Sequence, residues 1–73
     1  MLYFNEIKER YGHDIANVVA GSLEELQTND LEITADIIEL AVNYYQDNTS
    51  LIDNMSSLTE KRRCITEFIQ EGR

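Results

Sequence analysis

The sequence has no proline, only three glycines and a single cysteine. Proline and glycine supply most tight turns and linkers, so their scarcity argues against hairpins and disorder and favours helices. The one cysteine, Cys64, cannot form an internal disulfide, which excludes the class of small secreted domains that are held together by cystines. A reducing, cytoplasmic environment is therefore expected.

Long apolar runs are also missing. No stretch approaches the ~20 residues of a membrane span. The amino-terminal residues reach an acid at Glu6, with no basic region followed by an apolar one, so no signal peptide is expected. The sequence thus predicts a soluble protein without a membrane partner.

The 73 residues allow one domain, spanning positions 1–73. A chain of this size buries only roughly 60 to 65 per cent of the surface that its unfolded form exposes. Small domains commonly compensate with disulfides, a metal or a partner subunit. Self-association, most simply as a symmetric homodimer, is one expectation.

Apolar residues at spacings of three and four predict helices along most of the chain. The first such stripe runs from Phe4 to Leu26. We expect Gly12 to break it, with Asp14 capping the second part, and a single helix with a weak point at Gly12 is the alternative. The sequence therefore predicts two helices in this region.

The next segment, Leu31–Tyr45, is apolar except at five positions, which is typical of a helix contacted from several sides. We expect it to be the central helix, with Asn29 or Asp30 as its cap and Glu32 in its first turn. At 100° per residue, Glu32, Asp36, Glu39 and Asn43 would then share one face.

The last apolar stripe predicts a helix that begins at Ser50 and ends at Gly72. Ser50 and Asp53 resemble a capping box. The stripe consists of Leu51, Met55, Leu58, Ile65 and Ile69. A break at Ser56–Ser57 is an alternative. The fold class predicted is an all-α bundle of three to four helices.

No catalytic, metal or cofactor site is predicted. His13 is the only histidine and Cys64 the only cysteine, so neither a nucleophile–base pair nor a zinc cluster can be assembled within one chain. The glycines are isolated and form no phosphate-binding loop. A non-enzymatic function is therefore expected.

Positive charge is absent from the middle of the chain. Arg10 is followed by no lysine or arginine until Lys61, whereas the fifty residues between them carry ten acids. These are Asp14, Glu24, Glu25, Asp30, Glu32, Asp36, Glu39, Asp47, Asp53 and Glu60. A net charge of −8 keeps a small domain in solution, which is one interpretation. The other is that a one-signed surface attracts a basic partner.

Basic surfaces belong largely to proteins that bind nucleic acid, so nucleic-acid mimicry is the leading specific hypothesis. Acids at i, i+4 and i+7 repeat about every 6 Å along a helix, which is comparable with phosphate spacing. The residues expected to bind the partner are Glu32, Asp36, Glu39, Glu24, Glu25 and Asp47. A small phage-type inhibitor would have this size and charge, and direct DNA binding is not expected.

Two alternatives belong to other classes. Glu39-Leu40-Ala41 followed by Thr49-Ser50-Leu51-Ile52 has the spacing of a helix-turn-helix regulator, although its second helix would lack basic residues. The second alternative is an antitoxin-like or structural subunit that acts through oligomerisation. Candidate self-association residues are Tyr44, Tyr45 and Arg62, the last of which falls within the apolar stripe of the final helix.

Overall fold

The computed structural model describes residues 3–72, which contain five helices and no strand. The helices are α1 (Phe4–Tyr11), α2 (His13–Thr28), α3 (Ala35–Asp47), α4 (Thr49–Asp53) and α5 (Leu58–Glu71). Four of them are longer than seven residues and α4 is a short connecting turn. The prediction of a small all-α bundle is confirmed.

The predicted break at Gly12 is confirmed. Gly12 has φ 99° and ψ 170°, a conformation that L-residues with a side chain rarely adopt. Its N–H donates to the Lys8 carbonyl at the end of α1, and its own carbonyl accepts from Ala16 N–H in α2. Gly12 therefore ends α1 and begins α2 through its own backbone hydrogen bonds. The expectation that Asp14 caps α2 is wrong, because Asp14 lies inside the helix.

The expectation that Asn29 or Asp30 caps the next helix is also wrong, because both residues end α2. Leu31 N–H donates to the Leu26 carbonyl and Asp30 N–H to that of Gln27, which is the Schellman pattern. Asp30 occupies the left-handed position at φ 69°, where glycine is usual and aspartate is tolerated.

Helix α3 consequently starts four residues later than predicted. Thr34 is its cap, and the threonine hydroxyl oxygen accepts a hydrogen bond from Ile37 N–H at 3.3 Å. Leu31 is buried, which anchors the non-helical stretch before the cap. Glu32 therefore lies outside the helix.

The final stripe is divided in two, as the alternative at Ser56–Ser57 predicted. Ser57 caps α5 by accepting from Glu60 N–H at 3.1 Å. The prediction of one continuous helix from Ser50 is wrong. Leu51, which was expected in its apolar stripe, is 59% exposed. Gly72 follows the last residue of α5, as expected.

Helix α2, and not α3, is the centre of the bundle, because it packs against α1, α3 and α5. Seven of its residues are buried, more than in any other helix: Ala16, Val18, Val19, Ala20, Ser22, Leu23 and Leu26. Helix α3 buries only Ala41, Val42 and Tyr45. The radius of gyration, 10.9 Å, agrees with the ~11 Å expected of one folded domain of this length.

Candidate interaction surface

All ten carboxylates between Arg10 and Lys61 are exposed. Within residues 3–72, the one pairing of an acid with a basic group at 4.0 Å or less that involves them is Asp14 with His13, at 3.8 Å. In the described part of the chain, none of these ten acids forms a close ion pair with a lysine or arginine. Two parts of the surface hold the acids that the sequence singled out.

The first part is the outward side of α3, called here the acidic face: Asp36, Glu39, Asn43 and Asp47. All four are exposed. At 100° per residue they fall within an arc of about 80° and extend over about 16 Å of helix. Glu32 does not share this face, because it precedes the cap at Thr34. The regular repeat of Glu32, Asp36 and Glu39 predicted from sequence is thus wrong.

The second part lies on α2 beside α5. Glu24 and Glu25 line a shallow depression together with Gly21, Thr28 and Arg62. Glu39, by contrast, lines a groove between α1 and α3 with Glu6 and Arg10. The structure therefore separates Glu24 and Glu25 from the acidic face of α3.

Arg62 is held within the chain. Its Nε and one terminal nitrogen donate to the Asn17 carbonyl at 3.1 and 2.9 Å. To reach it, the guanidinium crosses Gly21 so closely that an added Cβ there would lie 2.1 Å from Nε. The Arg62 carbonyl also accepts from Thr66 and lies within hydrogen-bonding distance of the buried Ser22 hydroxyl.

These contacts explain why a cation can stand in an apolar stripe. The side chain of Arg62 spans from α5 to α2, so no subunit interface is needed to account for its position. Its neighbours Lys61 and Arg63 do not pair with Glu60 or Glu67 within 4.0 Å in the part of the chain that is described. They lie near the start of α5, so they do not compensate the partial charge at a helix carboxyl end.

The two adjacent tyrosines point about 100° apart around α3, and they have different environments. Tyr45 is 3% exposed, and its hydroxyl donates to Asp53 at 2.8 Å. Burial, followed by the Asp53 hydrogen bond, raises the pKa of Tyr45 to about 12. Tyr45 is therefore a core residue.

Tyr44 is half-buried and stacks on Phe68 of α5, with ring centroids 3.9 Å apart. Its hydroxyl is 3.7 Å from the Cys64 sulfur. This hydrogen bond, followed by burial, raises the pKa of Tyr44, and the charge of Glu71 adds to the effect. The tyrosine thus connects α3 to α5 at the surface.

An apolar feature that sequence reasoning overlooked borders the acidic face. Ile37, Leu40 and Tyr44 are spaced by three and four, so they form one row on α3 that Phe68 continues on α5. We call these four residues the apolar ridge. Leu40 is 44% exposed and the other three are half-buried. The angles of Ile37, Leu40 and Tyr44 at 100° per residue place this row beside the acids, and the sequence already contains that signal.

The helix-turn-helix alternative finds little support in this geometry. Helix α4 begins at Thr49, where the second helix was expected, but it has only five residues. That length is about 7.5 Å, too short to lie along a DNA groove, and its exposed side chains include Asp53.

Within residues 3–72, no three histidine, cysteine or acidic side chains are grouped so that they could hold a metal ion. None of the helices in this range is long and apolar enough to cross a membrane. Comparison with protein-family models, curated proteins and solved structures gave no match to this chain.

Proposed function

We propose that this protein is a non-enzymatic binding module whose acidic face attaches to, and blocks, a basic surface of another protein. The observation that carries the proposal is the exposure of all ten carboxylates between Arg10 and Lys61, none of which has a lysine or arginine partner within 4.0 Å among residues 3–72. Solubility alone does not require such self-repulsion, since a surface with both signs interspersed and a smaller net charge also keeps a small domain in solution.

The acidic face supplies the geometry for this interaction. Its three carboxylates lie on one rigid helix, and none of them makes a hydrogen bond or ion pair within the described residues. A basic partner could therefore bind these carboxylates without first breaking a hydrogen bond or ion pair within this protein. Because nucleic-acid-binding proteins present lysines and arginines to phosphates, a member of that class is the partner expected.

Blocking follows from competition. A basic groove that is occupied by the acidic face is closed to a phosphate backbone, so the protein would act as an inhibitor of nucleic-acid binding. Its own charge of −8 opposes DNA, and we expect no binding to duplex DNA in a mobility-shift assay. Tight, sequence-dependent binding would instead favour a helix-turn-helix regulator.

The test compares two variants of equal net charge. One neutralises the acidic face (Asp36→Asn, Glu39→Gln, Asp47→Asn), and the control neutralises three exposed acids of α2 (Asp14→Asn, Glu24→Gln, Glu25→Gln). Each variant and the wild type are immobilised and used to capture proteins from a lysate of the source cells. Bound proteins are then released with ~1 M salt, which reduces the screening length to about 3 Å.

We expect a basic protein to be retained by the wild type and the α2 variant and lost by the acidic-face variant. The purified partner should associate roughly ten-fold more slowly with the acidic-face variant, because electrostatic steering is lost. Equal capture by all three proteins, or a partner without a basic surface, would refute the proposal.

A further inference from the structure

The apolar ridge indicates that the basic surface which binds this protein also has an apolar part. Leu40 lies one helical turn from Asp36 and one turn from Asn43, so it stands at the edge of the acidic face. Nucleic-acid mimicry needs carboxylates alone, and an exposed leucine beside them contributes nothing to the imitation of phosphates. A protein partner, in contrast, can bury it.

Acids border the ridge on both sides. Asp36 and Asp47 flank it on α3, and Glu71 lies close enough on α5 for its charge to act on the Tyr44 hydroxyl. Glu67 precedes Glu71 by four residues and is exposed on the same side of α5. The surface is therefore an apolar row between two acidic borders.

Two arginines of this chain approach the acidic surface: Arg10 lines the groove that contains Glu39, and Arg63 precedes Glu67 by four residues on α5. Within residues 3–72, neither makes an ion pair of 4.0 Å or less with these acids. Helix α3 contains no lysine or arginine. Lys61 lines a depression with Asp14, Asn17 and Val18 of α2, and the side chain of Arg62 crosses Gly21 of the same helix. The acidic borders of the ridge are thus available to charges from outside.

We infer that the apolar ridge with its acidic borders is a docking surface for a basic amphipathic helix of the partner protein. Such a helix carries one apolar row, which would cover Leu40 and the Tyr44–Phe68 stack, and lysines or arginines on both sides of that row, which would meet the borders. The inference rests on the proposed function and adds a peptide class to it.

A second copy of this chain is a poorer occupant. Twofold pairing through the ridge would bring acidic borders against acidic borders, and like charges across an interface oppose association. Of the residues expected to mediate a dimer, Tyr45 is buried and Arg62 binds within the chain. Only Tyr44 remains on this surface.

The probe is a synthetic peptide of about 18 residues, which forms a helix of about 27 Å. It carries leucines at i, i+3, i+4 and i+7 and lysines at the remaining positions. A second peptide has the same composition in scrambled order, so that its charge is equal and its apolar row is lost. Affinities are measured at physiological salt, and amide shifts identify the residues that are touched.

Leu40→Gln tests the ridge, and Leu58→Gln is the matched control. Leu58 is 37% exposed and lies in the depression with Lys61, away from the ridge. Glutamine has a helix propensity close to that of leucine, so both variants should keep the fold, which a thermal melt verifies. The acidic-face and α2 variants described above are measured alongside.

We expect the patterned peptide to bind at least five-fold more tightly than the scrambled one. Leu40→Gln should weaken its binding about five-fold, with Leu58→Gln unchanged and amide shifts centred on Leu40, Tyr44 and Phe68. Equal binding of both peptides, with loss only in the acidic-face variant, would overturn the inference and leave the proposed function standing. Binding of the peptide that is equally tight for the wild type, the acidic-face variant and the α2 variant would overturn the proposed function.

Sedimentation equilibrium tests whether a second copy of this chain binds to the ridge. We expect a monomer for the wild type at tens of micromolar. A wild-type dimer that Leu40→Gln dissociates and Leu58→Gln preserves would assign the ridge to self-association and overturn the inference.

Discussion

The contact between Arg62 and Gly21 makes a prediction about stability that ordinary helix propensities contradict. Glycine inside an exposed part of a helix is ~1 kcal/mol less favourable than alanine. Gly21→Ala should on that ground stabilise α2. Here the new methyl group would occupy the path of the Arg62 side chain, 2.1 Å from its Nε.

The magnitude follows from what Arg62 would lose. A hydrogen bond from a charged donor contributes about 1.5–3 kcal/mol, and the guanidinium makes two to the same carbonyl in a half-buried position. Because both donors share one acceptor and the guanidinium is partly solvated, the two do not add, and we assign roughly 1–2 kcal/mol to the pair. The Asn17 carbonyl keeps its helical N–H partner, so its own desolvation adds little.

A double-mutant cycle isolates this effect. Gly21→Ala alone should be neutral or destabilising by up to about 1 kcal/mol, since the helix gain offsets the lost hydrogen bonds. Arg62→Ala alone should destabilise by about 2 kcal/mol, because the packed methylenes are lost as well. With Arg62→Ala in place, Gly21→Ala should become stabilising by about 1 kcal/mol.

Urea unfolding followed by helical circular dichroism measures all four proteins. A 2 kcal/mol loss lowers the urea midpoint by about 2 M for a domain with an m-value of about 1 kcal/mol/M, well above error. If Gly21→Ala stabilises the protein equally with and without Arg62, the side chain does not cross Gly21, and the account of the α2–α5 contact is refuted.

Three further predictions concern single sites. Asp30→Gly should stabilise the protein by up to ~1 kcal/mol, because glycine adopts φ 69° more easily than the aspartate that the position tolerates. A lower stability in urea unfolding would contradict the Schellman ending of α2. Ser57→Ala should cost about 1 kcal/mol through loss of the cap to Glu60 N–H, an effect visible in the same assay, whereas no change would show that α5 is not capped there. The pKa of Tyr45, about 12 in the folded protein, is above the usual 10, so its contribution to stability is complete below pH 10 and is lost as pH rises towards 12. Asp53→Asn should lower that pKa in a phenolate absorbance titration, and an unchanged titration would exclude the hydrogen bond.

The sequence by itself determined the helical class and the acidic surface. Both are properties of local order: spacings of three and four specify helices, and fifty residues without lysine or arginine specify surface charge wherever the helices pack. The break at Gly12 was equally local, since the required φ is one that glycine alone adopts easily.

Tertiary structure decided where α3 begins and which acids share its face. Asn29, Asp30 and Thr34 all have side chains suited to capping, so local preference does not choose among them. Burial of Leu31 makes the choice, because it commits Asn29 and Asp30 to the end of α2 and leaves Thr34 as the cap. Glu32 is thereby removed from the acidic face.

Tertiary structure also decided the role of Arg62 and the centre of the bundle. A helical pattern gives the direction of a side chain around its own axis, but not which helix lies opposite. Gly21 and Ser22 are small, so α5 approaches α2 closely and the arginine finds a backbone carbonyl across it. The long apolar run of α3 instead leaves Leu40 exposed, because α2 already occupies the position between α1, α3 and α5.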